Sequence, residues 1–275
     1  MNQALAVVAA FFYGFADFAG GIATRRLSVW KVMAWAQLLG LGLLAVGLVV
    51  VPATEVTGRD LFFGAVAGLV GLVGLVVLYL ALARGTMAIV APISGAIAAS
   101  VPVIVDVLFG PGLSARQWVG VGLALAAVAL VGIEPGMTSG DRRWLWGAIF
   151  SGASFGVFFV ALGQTEIASG LWPLVAARGT SIPIAFLIAA GIGVAAAPRG
   201  RALGLIVIIG NLDMAANIFS ALALQRGPVG VTAVLVSLYP AVTAVTAVVL
   251  LRERPSGRQM AGIGFALAAL VALVG

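Results

Sequence analysis

The chain has 275 residues, 63% of them hydrophobic and 9% charged, against roughly 25% charged in an ordinary soluble domain. No water-soluble fold hides that much apolar surface, so lipid must be the solvent for most of it. The net charge of +6 punctuates apolar runs and forms no large basic cluster, which excludes a nucleic-acid partner.

A helix needs about 20 apolar residues to cross roughly 30 Å of hydrocarbon. On that measure spans are predicted near 4–24, 32–51, 61–83, 87–109, 118–133, 144–165, 173–197, 202–224, 228–251 and 259–275. The first span follows Met1-Asn2-Gln3 directly, so no cleaved leader is expected, and it carries Tyr13 and Asp17 four residues apart. Span 3 bears Tyr79 and a small-residue stripe, Gly64, Gly68, Gly71 and Gly74, suited to close helix crossing. Span 4 holds Ser94, Asp106, Pro92 and Pro102, and span 6 holds Gly152, Phe155, Gly156, Phe158 and Phe159. Arg178 near the start of span 7 is expected to snorkel to the interface, and is a further donor for a substrate carboxylate only if it projects inward. Span 8 sets Asp213, Asn217 and Ser220 on one helical face, and span 9 contains Ser237, Tyr239 and Pro240. Unbroken apolar runs without alternation argue against a β-barrel.

The longest polar connection, Glu134 to Arg143, divides the chain into units 1–135 and 142–275. Displacing the chain by 142 residues, without a gap, aligns Gly14 with Gly156, Gly21 with Gly163, and Trp30 with Trp172. It also aligns Gly58-Arg59 with Gly200-Arg201, Arg84-Gly85 with Arg226-Gly227, and Arg116-Gln117 with Arg258-Gln259. A duplicated five-span unit accounts for these matches. Because five is odd, the second copy enters the membrane upside down, the architecture of alternating-access carriers. The fold expected is therefore an all-α membrane protein, ten transmembrane helices as two inverted five-helix repeats around a central cavity. Such a body is complete as a monomer.

Cysteine and histidine are both absent, so thiolate nucleophiles, imidazole bases and His- or Cys-ligated metals are not available. No enzyme activity, cofactor or metal is expected. No phosphate-binding loop is present either, which leaves passive or ion-coupled movement of a small molecule.

Ser237-Leu238-Tyr239-Pro240, then Leu251-Arg252-Glu253, then Gln259 and Gly262, resemble the end of an EamA-type repeat of the drug/metabolite transporter superfamily. The first half keeps Pro102, Ser114, Gln117 and Gly120 but has Pro111 where the acid of that pattern stands. In size and layout the chain is similar to the bacterial YddG-like exporters of aromatic and other amino acids. The resemblance implies a bacterial inner (plasma) membrane protein with a cavity lined by spans 1, 3, 4, 6, 8 and 9. It also implies cytoplasmic termini. The charge pattern implies the reverse, because Arg59, Arg116, Arg178 and Arg226 flank the side bearing the termini and the other eleven basic residues flank the opposite side.

An Asp at mid-bilayer costs roughly 2.5–3.5 kcal/mol on insertion scales, so Asp17, Asp213 and Asp106 are functional candidates. A zwitterionic amino acid needs an acceptor for its ammonium, here Asp17 or Asp213, and donors for its carboxylate, here Ser94, Asn217, Ser237 or freed backbone amides. Tyr79, Phe155, Phe158, Phe159 and Tyr239 are candidates for the wall around its side chain, and Tyr13, one turn before Asp17, is a further candidate substrate-binding residue. The expected activity is export of small amino acids, aromatic and apolar ones included, with a proton as candidate coupling ion. Lipophilic cations, other metabolites, and a non-transporting scaffold or scramblase are the alternatives.

Overall fold

The structure, a computed structural model, describes residues 2–109, 114–132, 139–227, 229–252 and 256–274. The described residues form helices and no strand. In order these are α1 (Asn2–Thr24), α2 (Val29–Val50), α3 (Gly58–Arg84), α4 (Met87–Phe109), α5 (Ala115–Gly132) and α6 (Ser139–Leu162). After a short 3-10 turn at Ile167–Ser169 come α7 (Trp172–Gly191), α8 (Arg201–Arg226), α9 (Val229–Val236), α10 (Tyr239–Leu251) and α11 (Gly257–Val274). Among the described residues seven helices, α1 to α4 and α6 to α8, are long and apolar enough to cross a bilayer. Val49, Val50, Phe62, Leu187 and Val249 point outward, an apolar exterior that suits lipid.

Two predicted spans end differently from expectation. Span 7 was expected to reach residue 197 but its helix stops at Gly191. Gly193 takes φ +74, a left-handed conformation that terminates the helix, and the Val194 amide donates back to the Ala189 carbonyl at 2.7 Å. Span 9 is not one helix but two, α9 and α10, parted at Ser237-Leu238. Pro240 has no N–H and its ring crowds the carbonyl four residues earlier, so the helical ladder breaks there.

Under the 142-residue displacement, α5 falls on α11 end for end, and α4 covers the combined extent of α9 and α10. The contacts follow the same register. Helix α1 packs on α8 and α3 on α6, α2 on α8 and α3 on α7, while α5 and α11 pack on each other. A side chain at Gly21 would strike Met87, and one at Gly163 would strike Val229, 142 residues further along in each case. Likewise Gly14 abuts α10 at Tyr239 and Val242, and Gly156 abuts α4 at Ala98 and Val101. Gly68 touches the Ala177 carbonyl of α7, and its counterpart Gly210 touches the Ala36 carbonyl of α2.

These last two contacts are backbone against backbone, so neither partner can yield. Gly68→Val and Gly210→Val should each lower the melting temperature of the detergent-purified protein, with an overpacking cost of about 1–3 kcal/mol or more. Gly42→Val, where nothing lies within 4 Å, serves as the comparison and should melt near the wild type.

Candidate functional site

The polar stripe on α8 faces inward: Asp213, Asn217 and Ser220 are all buried. Asn217 Nδ2 donates to the Asp213 carbonyl at 2.7 Å, and Ser220 Oγ donates to the Asn217 carbonyl at 3.1 Å. The Tyr13 and Ser220 hydroxyls lie 3.2 Å apart, which ties α1 to this stripe.

Asp213 itself is engaged. Arg178 Nη2 donates to Asp213 Oδ2 at 2.6 Å, both side chains being about nine-tenths buried. Arg178 therefore turns into the protein and does not snorkel outward as expected. It is held there by Gln37 of α2, whose Oε1 accepts from Arg178 Nη1 at 3.3 Å and also from Ser181 Oγ. Helices α2, α7 and α8 thus share one ion-paired, hydrogen-bonded network.

Asp17 on α1 is 3% exposed and makes no hydrogen bond or ion pair among the described residues. It lines the same cavity as Tyr13, Gln37, Arg178, Asp213 and Asn217. The Arg178–Asp213 pair is neutral as a unit, and no cationic group partners Asp17 among the described residues. An ionised Asp17 would call for a cation from outside them.

The other wall is apolar. Phe155, Phe158 and Phe159 of α6 and Leu72 and Leu75 of α3 line it, with the Phe158 ring packed against Gly71. Tyr239 sits at one edge, its ring 5.7 Å from that of Tyr13 and 6.3 Å from that of Phe155. The two walls are related position by position: Tyr13 with Phe155, Asp17 with Phe159, Gly71 with Asp213, and Leu75 with Asn217 are each 142 residues apart. In each pair one member is polar and the other apolar or without a side chain, the polar one coming from the first half at Tyr13 and Asp17 and from the second half at Asp213 and Asn217.

Seven of the ten predicted site residues meet in this cavity: Tyr13, Asp17, Phe155, Phe159, Asp213, Asn217 and Tyr239. Three do not. The Tyr79 ring fills the space over Gly20 and donates to the Ala16 carbonyl at 3.3 Å. Ser94 spends its hydroxyl on Ser151 at 3.0 Å, in the contact of α4 with α6. Ser237 lies buried at the break before α10 and is not among the residues lining the cavity. The expected contribution of span 4 is likewise absent from the described lining, since α4 packs behind α6 at Gly152 and Gly156, while α2 and α7 take part instead. Asp106 falls within α4, and its side chain lies outside the described residues.

Reasoning from sequence missed Gln37 as a site residue. Its signal was a lone amide in the apolar run of α2. No group of three or more acidic side chains suited to a metal ion occurs among the described residues.

A family model described as the EamA-like transporter family matches the chain twice, over residues 3–133 and 142–275. The chain is also similar to a crystal structure described only as that of a protein. The TM-score is 0.67 at 17% identity, over 98% of this chain and 95% of that one, a likeness of fold alone. No curated protein matches.

Proposed function

We propose, from the premise that this chain belongs to the EamA-like transporter family, that it is a secondary transporter exporting amino acids with aromatic or apolar side chains. Membership and the apolar helices make it an integral membrane protein that carries a small molecule. The observation that carries the finer reading is the two-walled cavity. An unpartnered carboxylate at Asp17 suits an ammonium, the Arg178 guanidinium suits a carboxylate, and the Phe155, Phe158 and Phe159 wall suits an apolar side chain. Substrate is moved, not transformed.

The halves act as two inverted five-helix repeats, with α9 and α10 forming one broken span and the total reaching ten. The matching helix ends, the paired glycine contacts and the twice-matched family model support this duplication. Exchange of roles between the halves would then open the cavity to each side in turn, by alternating access. With Arg178 inside the protein, only Arg59, Arg116 and Arg226 flank the termini side, which strengthens the charge pattern that sets the termini outside.

The excess carboxylate and the aromatic rings favour one competitor, a lipophilic cation held without any carboxylate of its own. Counterflow into proteoliposomes separates the two. Phenylalanine or leucine should exchange well above protein-free vesicles, and phenethylamine, which lacks the carboxylate, should exchange at least about tenfold less well. If phenethylamine exchanges and the amino acids do not, the substrate is an organic cation.

A further inference from the structure

The two ends of the molecule differ at positions that the 142-residue displacement sets in register. At the end formed by residues 51–57 and 163–171, the connections are fastened to each other. The Thr54 and Glu55 amides donate to the Ala168 carbonyl at 2.9 and 3.2 Å. The Glu166 amide donates to Asp60 Oδ1 at 2.8 Å, and Arg59 Nη2 donates to Gln164 at 3.1 Å. Asp60 Oδ2 also accepts from the Thr57 amide at 2.9 Å, which caps α3.

At the opposite end the counterparts of Arg59, Asp60, Ile167 and Ala168 are Arg201, Ala202, Arg25 and Arg26. The carboxylate that fastens one end has become a methyl group, and the two apolar residues have become arginines. No counterpart of the amide bonds to Ala168 occurs there among the described residues. Instead a crevice of about 1,000 Å³ of empty space lies between the end of α1, the start of α8 and the end of α10. Ile22, Leu205 and Leu251 form its apolar sides, and Arg25, Arg26 and Arg201 border it. Its described lining contains no acid and shares no residue with the central cavity.

We propose that this crevice binds an anionic phospholipid, with the headgroup phosphate against Arg26 and Arg201 and an acyl chain along Ile22, Leu205 and Leu251. The crevice sits where apolar helices end, at headgroup depth, so lipid reaches it from the side. Its described lining carries charge of one sign only, which a phosphate complements and a neutral lipid does not. Its sides are apolar, which a free phosphate would leave unused but an acyl chain covers. The lipid takes the place that the Asp60 carboxylate takes at the other end, an anion joining two connections. Nothing here depends on what the central cavity carries.

Native mass spectrometry of the purified full chain, offered equal amounts of phosphatidylglycerol and phosphatidylcholine, tests the site. The wild type should retain phosphatidylglycerol about tenfold over phosphatidylcholine. Each basic residue near an anionic surface contributes roughly a fivefold gain, so Arg26→Ala with Arg201→Ala should erase that preference. Arg26→Lys with Arg201→Lys should keep most of it. Melting of the alanine variant in phosphatidylcholine nanodiscs should match the wild type; should that variant misfold, Arg26→Gln with Arg201→Gln takes its place. The proposal is overturned by equal retention of the two lipids by the wild type, or by a neutral variant that keeps the preference. It is also overturned if glycerol phosphate displaces the lipid at equal concentration, because the site would then be one for a free phosphate.

Discussion

Arg178→Gln is expected to abolish counterflow and to destabilise the protein by about 3–5 kcal/mol, the cost of stranding one member of a buried ion pair. The stranded group is Asp213, whose Oδ2 accepts from Arg178 at 2.6 Å in a place reached by little water. Stability and transport should separate in the double variant Arg178→Gln with Asp213→Asn. Two neutral amides can bond to each other and to Gln37, so much of the lost stability should return, as measured by thermal melting in detergent. Transport should not return, because the guanidinium is the only buried cation lining the cavity among the described residues. A double variant that exchanges phenylalanine like the wild type would reduce the pair to a clasp between α7 and α8. Recovery of stability without transport makes Arg178 the donor that meets the substrate carboxylate.

The all-helical membrane character was legible because lipid imposes it. Apolar run length sets where helices lie, and the 142-residue register set which glycines play matching parts; Gly21 and Gly163 do so against Met87 and Val229. Inward-facing polarity was legible too, since Asp213, Asn217 and Ser220 recur on one face of α8. What periodicity cannot give is which inward neighbour a side chain meets. Tyr79 and Ser94 face inward, yet one covers Gly20 and the other bonds to Ser151. Arg178 was ambiguous for a related reason. A long side chain one or two turns into a span can reach either water or the interior, and only the tertiary placement of Gln37 and Asp213 decides. The break in span 9 had its signal in Pro240, but an apolar run on both sides masked it.

Asp17→Asn has a different signature from the Arg178 variants, and the difference follows from the missing partner. Asn occupies nearly the same volume, and no hydrogen bond or ion pair among the described residues is lost with the charge. Melting should therefore change little or rise slightly. Substrate affinity should fall by about tenfold to hundredfold, the worth of a charge-assisted hydrogen bond to an ammonium of about 1.5–3 kcal/mol. If the same carboxylate also carries a coupling proton in exchange for the substrate, the dependence of uptake on pH should flatten in this variant. Competition and coupling then share one atom group: a proton and an ammonium cannot both hold Asp17, so each turn of the cycle trades one for the other. Unchanged affinity together with an unchanged pH profile in Asp17→Asn liposomes would remove Asp17 from both roles. The ammonium would then have to share Asp213 with Arg178, which predicts that Asp213→Asn alone carries the full loss. Measuring both single variants in parallel, against phenylalanine and at several pH values, distinguishes a leftover carboxylate that waits for a cation from one that merely tolerates burial.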